Sequence, residues 1–429
     1  MKSFVWKDLA NAEKKAALAR PRFKDDAAVK AAVVDILQQV RVKGDEALLA
    51  FAAKFDGAAP KNLRLSAHDI ASGSAGVASA LRSSIQQAKA NIEKFHRAEM
   101  PHPVKLDTMP GVTCEMQWRA LETVGVYIPG GTAPLLSTVL MLAIPAKIAG
   151  CPRIVLCTPP KEGKIHPAVL AAADICGITE IYAVGGAQAI AAMAYGTATV
   201  PKCDKIFGPG NAYVTMAKQL VAQDAEGAAI DMPAGPSEVM VIADNKANAA
   251  WVAADLLAQA EHDTIAQAIL VTTDNGFAQK VQSEVASQLK KLSRQEIAEK
   301  SIAESRMIIV ADRAAALEVA NTYAPEHLII HNADAASWVA DVKHAGSIFV
   351  GATTPESAGD YASGTNHVLP TYGYARAYNG VNLLSFMKSM TVQTLTPEGL
   401  QKLGSTIIHM AEAEGLDAHA AAVKIRLEK

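Results

Sequence analysis

A chain of 429 residues, half of them hydrophobic and a fifth charged, can bury a large core, and a formal net charge of -2 leaves no electrostatic footprint for nucleic acid or an anionic membrane. Its length suggests about two to three domains. A small solute is the partner this composition points to. The opening stretch, MKSFVWKDLANAEKKAALARPRF, contains Asp8 and Glu13 and no sustained apolar run, so no secretory signal is predicted. No stretch approaches the roughly 20 continuous apolar residues of a membrane helix. The cysteines, Cys114, Cys151, Cys157, Cys176 and Cys203, include no CxxC pair and suit a reducing, cytoplasmic setting, with buried structural thiols the plain expectation.

Residues 1–115 read as mostly helical, for example over 28–55 and 76–98. From Val124 onward the pattern changes: TVGVYI, RIVLCT, EIYAV and DKIF read as buried strands separated by helical stretches at 135–148, 166–176 and 211–220. After Asp231 it starts again with VMVIAD, AILVTT, RMIIVAD, HLII and SIFVG. Beyond about residue 380 the chain returns to helix. The fold class expected is α/β, with two doubly wound Rossmann-like domains of βα units and small helical N- and C-terminal extensions. One division consistent with this is a helical extension over 1–25, an α/β domain made of 26–117 with 239–380, an inserted α/β domain over 118–238, and a tail over 381–429.

In doubly wound folds ligands collect outside the carboxyl ends of strands, which directs attention to the turns that follow them. Pro129-Gly130-Gly131-Thr132-Ala133-Pro134 follows TVGVYI, Gly185-Gly186-Ala187-Gln188 follows EIYAV, and Gly208-Pro209-Gly210-Asn211 follows DKIF. Glycines there let backbone N–H groups approach a phosphate at a helix N-terminus. GPGNAY departs from the dinucleotide fingerprint, with Tyr213 where the third glycine belongs. Tight turns explain each glycine separately; three such turns in one set favour a phosphate-bearing cofactor, and a dinucleotide is permitted.

The second set offers ligands of another kind. Gln259 and His262 lie three apart on one face near the end of KANAAWVAADLLAQAEHD, a pair that an ordinary solvated helix end also explains. The long loop 353–373 holds Asp360 and His367, and the tail AEAEGLDAH holds Glu414 and His419. Imidazole, carboxylate and amide without thiolate suit zinc or manganese, although the spacing is not diagnostic. In NTYAPEHLII, Glu326 and His327 stand side by side just before a buried strand, after a turn stiffened by Pro325. They could be two proton-transfer groups; a surface acid and a capping histidine is the plainer alternative.

GVYIPGGTAPL, FGPGNAYV, DMPAGPSEV, QAEHD, YAPEHL, ESAGDYASGTNHVLPT and EGLDAH, in this order over roughly residues 120–425, resemble histidinol dehydrogenase. The resemblance implies a zinc site of Gln259, His262, Asp360 and His419, and acid–base chemistry by Glu326 and His327. It implies substrate contacts at Ser237, His367 and Glu414 beside Gln259, His262, His327, Asp360 and His419, with NAD against Tyr127, Gln188 and Asn211. The inserted domain would then be the NAD side, and the other α/β domain would carry the zinc and Glu-His residues. Members of the family are homodimers in which the tail of one subunit completes the site of the other, which would make Glu414 and His419 contributions in trans.

The activity implied is a zinc-dependent, four-electron oxidation of L-histidinol through L-histidinal to L-histidine with two NAD, ending histidine biosynthesis. Zinc would hold the imidazole and amine of the substrate and so fix the alcohol carbon. His327 would take the hydroxyl proton, and Glu326 would activate water toward the aldehyde. Two rivals remain: a dehydrogenase of the same superfamily acting on another alcohol, such as a sulfonated diol, and a metal- or nucleotide-binding protein without catalysis.

Overall fold

The computed structural model describes residues 1–21, 26–130, 134–233 and 235–428, so residues 131–133 of the first glycine turn lie outside the described set. Its strands, in chain order, are β1 (Lys2–Val5), β2 (Val104–Met109), β3 (Val112–Ala120), β4 (Thr123–Tyr127), β5 (Arg153–Thr158), β6 (Glu180–Ala183), β7 (Lys205–Phe207), β8 (Ala229–Ile230), β9 (Glu238–Ala243), β10 (Gln267–Thr272), β11 (Arg306–Ile309), β12 (His327–His331), β13 (Ser347–Val350) and β14 (Met387–Leu395). They pair into three sheets.

Two of the sheets are parallel throughout: β6-β5-β4-β7-β8, and β1-β11-β10-β9-β12-β13. Leaving β1 aside, both follow one winding, in which the chain starts in the middle, steps outward twice, then returns to the other side of its first strand. The switch points are therefore β4/β7 and β9/β12. This is the α/β architecture that the alternation of apolar runs and Ala-rich helices predicts. Helices cover both faces, which is why β9 and β10 are buried at every position rather than alternating. Val239 and Val241 pack with the helix Ala249–Ala260, while Met240 and Ile242 pack with Trp6 and Tyr323 on the other face.

Three features depart from what the sequence suggests. The N-terminal segment begins not with helix but with β1, which pairs with β11 and forms the edge of its sheet before the short helix Asn11–Ala17. Four residues are too few to show a period. Residues 26–98 are helical as expected, yet their buried faces lie on the first sheet: Val33, Leu48 and Phe51 pack with Val155 and Tyr182, and Ile85 and Ile92 with Val124 and Leu140. The sequence groups them with the second α/β set, because an apolar stripe reveals that a helix has a core face and not which sheet it covers. The third departure is an antiparallel sheet, β14-β3-β2, built from flanks that read as helical. Both outer strands are exposed at most positions, so they carry no apolar alternation to read.

Candidate active site

A cleft of about 450 Å³ lies between the two parallel sheets. From the first sheet it receives Pro129 and Gly208–Asn211, which follow β4 and β7; from the second it receives Ser237, just before β9, and Glu326 and His327, at the start of β12. The sheets thus meet the cleft with opposite ends. The rule that ligands gather at carboxyl ends and switch points holds for β4/β7. It does not hold for the Glu-His pair, which sits at the amino ends of β9 and β12. Gln259 and His262 reach the same edge because the helix Ala249–Ala260 ends where β10 begins.

The turn that delivers the pair is strained. The helix Arg313–Tyr323 stops at Ala324, which adopts φ 55° and ψ 68°, the left-handed region that costs an alanine roughly 1–2 kcal/mol. Pro325 follows and fixes the direction of exit. Glu326 and His327 are 6% and 4% exposed. A single residue of β9 holds both: the Glu238 N–H donates to Glu326 Oε2 at 2.8 Å, and His327 Nδ1 lies 3.1 Å from the Glu238 carbonyl oxygen. Since a carbonyl only accepts, Nδ1 carries the proton. In the neutral ring Nε2 is then the bare nitrogen, 3.6 Å from Asp360 Oδ1 and without a hydrogen-bond partner.

Ligand atoms of His262, Glu356 and Asp360 lie within 4.8 Å of one another. Glu356 and Asp360 are four apart on the short helix Glu356–Tyr361 and so share a face. Gln259 is 1% exposed, and neither its Oε1 nor its Nε2 has a partner; Glu356 Oε2 is buried and unpartnered too. A buried polar atom without a partner costs about 1–3 kcal/mol. Such a cluster is the signature of a place for something else. Amide, imidazole and carboxylate donors suit a borderline divalent cation such as zinc, and the residues fit it.

The electrostatics agree. Burial pushes the Glu326 carboxyl up to about 8, and burial raises Glu356 well above the carboxylate range. Burial alone would lower the His327 imidazole; the carboxylates of Glu356, then Glu326, then Asp360 outweigh it and raise His327 well above its usual value. For Asp360, burial is outweighed by the nearby His327, then His367 and His262, and the net direction is down. Two of the three carboxyls around this imidazole thus tend to keep their protons, and a divalent cation in the cluster would favour their ionised forms.

The other expected site residues divide into three groups. Ser237, His367 and Asn211 line the cleft with the pair. His367 is oriented at both nitrogens, Nδ1 2.8 Å from the Asp360 carbonyl and Nε2 3.3 Å from Thr138 Oγ1. Asn211 caps the helix Ala212–Gln223, accepting from the N–H groups of Tyr213 and Val214. Tyr127 and Gln188 are buried and do not line the cleft; the Tyr127 hydroxyl accepts from the Gly186 N–H at 3.0 Å. Glu414 and His419 are exposed on the C-terminal helices Pro397–Ala413 and Asp417–Leu427 and their connection, and do not line the cleft of this chain.

Sequence reasoning passed over several residues in the cleft wall and just behind it. Glu356 stands in the quoted ESAGDY stretch, and its spacing from Asp360 on a helix was the available signal. Lys218 and Asp231 form a buried ion pair at 2.5 Å; Lys218 Nζ donates to the Gly208 carbonyl and Asp231 Oδ2 accepts from the Gly208 N–H. They clamp the GPGN loop at both ends of one glycine. Gly208 has φ 123°, and a Cβ there would fall 2.2 Å from the Tyr127 carbonyl oxygen, so close approach of two strand ends requires this glycine. Nothing local in the sequence links Lys218 to Asp231.

The family model for histidinol dehydrogenase matches residues 19–427. The chain belongs to the histidinol dehydrogenase family. It is 52% identical over 429 residues to the histidinol dehydrogenase of Vibrio parahaemolyticus, covering 100% of this chain and 99% of that one. The corresponding enzyme of Colwellia psychrerythraea is 52% identical over 425 residues, covering 99% and 98%. The crystal structure of histidinol dehydrogenase from Elizabethkingia anophelis superposes with a TM-score of 0.95 at 47% identity, covering 100% of this chain and 98% of that one. The resemblance carried by the quoted motifs is thereby established as membership, and the chain is an oxidoreductase. The match begins at residue 19, so it takes in Arg20 at the end of the N-terminal segment but not β1 or the helix Asn11–Ala17. Among the described residues no helix is long and apolar enough to cross a membrane.

Proposed function

We propose that this chain oxidises L-histidinol through L-histidinal to L-histidine with two NAD and one zinc ion per subunit, closing histidine biosynthesis. The observation that carries the proposal is the buried Glu326–His327 pair, held by both main-chain groups of Glu238 and sharing one cleft with the unpartnered amide of Gln259. The net reaction takes up one water, reduces two NAD and releases three protons with the carboxylate product.

Gln259, His262 and Asp360 would hold zinc, with His419 of the partner subunit as the fourth ligand; when bound, the ion supplies a Lewis-acidic grip on the substrate's imidazole and amine. Asn211 at the cleft, with Tyr127 and Gln188 at the Gly186 turn, would hold NAD, which accepts a hydride in each half-reaction. In its neutral form His327, with the proton on Nδ1, accepts the alcohol proton at Nε2 as hydride departs. Glu326 then accepts a proton from the water that adds to the aldehyde, and His327 accepts a hydroxyl proton of the hydrate in the second oxidation. Ser237, His367 and Glu414 would bind the substrate. Two oxidations at one carbon need two proton acceptors within reach of it, which the adjacency of Glu326 and His327 supplies.

The test is the number of NADH formed per L-histidinol with zinc-loaded protein at mildly alkaline pH. Two, lost on chelation and restored by zinc, is the expected result; one would remove the second half-reaction, and none would favour another alcohol. His262→Asn is expected to lose zinc and turnover together, read by metal content beside activity.

Homodimerisation is part of the proposal. It is supported by the exposure of β2 and β14, which leave Val104, Leu106 and Met390 open, and by the exposed placement of Glu414 and His419 outside the lining of this chain's cleft. Mixing inactive His327→Asn and His419→Asn chains, after unfolding and refolding together, is expected to restore activity through heterodimers with one intact site. Sites built within single chains would show no such recovery.

A further inference from the structure

The N-terminal segment ends beside the catalytic pair without touching the cleft. Arg20, 15% exposed at its side chain, forms a two-pronged ion pair with the 2%-exposed carboxylate of Glu238: Nε donates to Oε1 at 2.5 Å and Nη2 to Oε2 at 2.9 Å. Nη2 also donates to the carbonyls of Tyr323 at 2.7 Å and Ala324 at 3.3 Å. The guanidinium lies 3.8 Å over the Tyr323 ring. Oε1 of Glu238 also accepts from the Tyr372 N–H at 2.9 Å.

These contacts converge on what orients the pair. Glu238 is the residue whose N–H holds Glu326 and whose carbonyl holds His327. Tyr323 and Ala324 supply the last two carbonyls before Pro325–Glu326, at a helix end whose carbonyls have no intrahelical partner and in a turn that alanine does not adopt unaided. We propose that Arg20 is a positioning residue for the Glu326–His327 pair, tying the strand that orients the two side chains to the strained turn that carries them. The proposal rests on the reading that Glu326 and His327 perform the proton transfers. A planar guanidinium reaches these acceptors at once, whereas a lysine ammonium offers one point of charge and cannot reproduce the two-pronged pair.

The experiment compares Arg20→Met, Arg20→Lys and Arg20→Ala with the parent and with Glu326→Gln and His327→Asn. Arg20→Met is expected to lower kcat for L-histidinol about 100-fold, the cost of a misplaced acceptor, with KM changed less than about threefold and zinc content unchanged. Arg20→Lys is expected to recover part of the loss. Millimolar guanidinium is expected to raise kcat of Arg20→Ala and to leave Glu326→Gln unaffected. In selectively 15N-histidine-labelled protein, the His327 signal assigned by its loss in His327→Asn is expected to report protonation at Nδ1 in the parent and a mixture of tautomers in Arg20→Met. Parental kcat in Arg20→Met, or a loss that follows zinc content and resists guanidinium, would overturn the proposal. If Glu326→Gln and His327→Asn themselves turn over at the parental rate, the proton-transfer reading falls first. If they are impaired and Arg20→Met is not, only the positioning role falls.

Discussion

Replacing His327 by Asn is expected to lower turnover of L-histidinol and L-histidinal alike, by about 10³–10⁴-fold, with zinc retained. The lower end of that range is what a single positioned base contributes. The upper end is reached because His327 serves in both oxidations and because its removal leaves the carboxylates of Glu356, Glu326 and Asp360 facing one another in a buried cluster. Single-turnover hydride transfer, measured separately with alcohol and aldehyde, checks this. A loss confined to one of the two substrates would remove His327 from the other step.

Glu326→Gln is expected to behave differently. Oxidation of L-histidinal, which needs a hydrate, should fall about 10²–10³-fold, while the first oxidation of L-histidinol falls far less. Equal losses would dissociate Glu326 from hydration. In the parent chain the rate of the aldehyde step should rise with pH as the buried Glu326 carboxyl loses its proton, and the glutamine variant should lack that limb.

The same substitution should stabilise the metal-free protein. A carboxyl at about 8 when folded and near 4.5 when unfolded binds its proton more tightly in the folded state, so the parent loses stability as pH rises from about 5 to 8. Glutamine accepts the Glu238 N–H without ionising. Chemical unfolding at pH 9 is expected to show the variant more stable by roughly 2–4 kcal/mol, with the gap shrinking toward pH 5. An active residue that costs stability where it works is the usual trade at a buried site.

The sequence by itself determined the two α/β sets, because strands buried on both faces must be continuous apolar runs and the helices between them must be long enough to cross over. It also supplied several of the residues that the cleft brings together. QAEH, YAPEHL and SAGDY are local motifs, and Gln259, His262, Glu326, His327 and Asp360 do line one cleft.

Tertiary structure decided the rest. Which sheet the helices of 26–98 cover depends on complementary surfaces far apart in the chain. The exposed sheet of β2, β3 and β14 is held by backbone pairing across more than 260 residues, from Glu115 to Val392 among others, and leaves no side-chain pattern. That the pair sits at the amino ends of β9 and β12 follows from how the two sheets face each other, which no turn motif encodes. Lys218 with Asp231, and Arg20 with Glu238, are ion pairs whose partners lie 13 and 218 residues apart. Charge complementarity in a buried site acts through space and at short range, so these pairs exist only once the chain has brought them together.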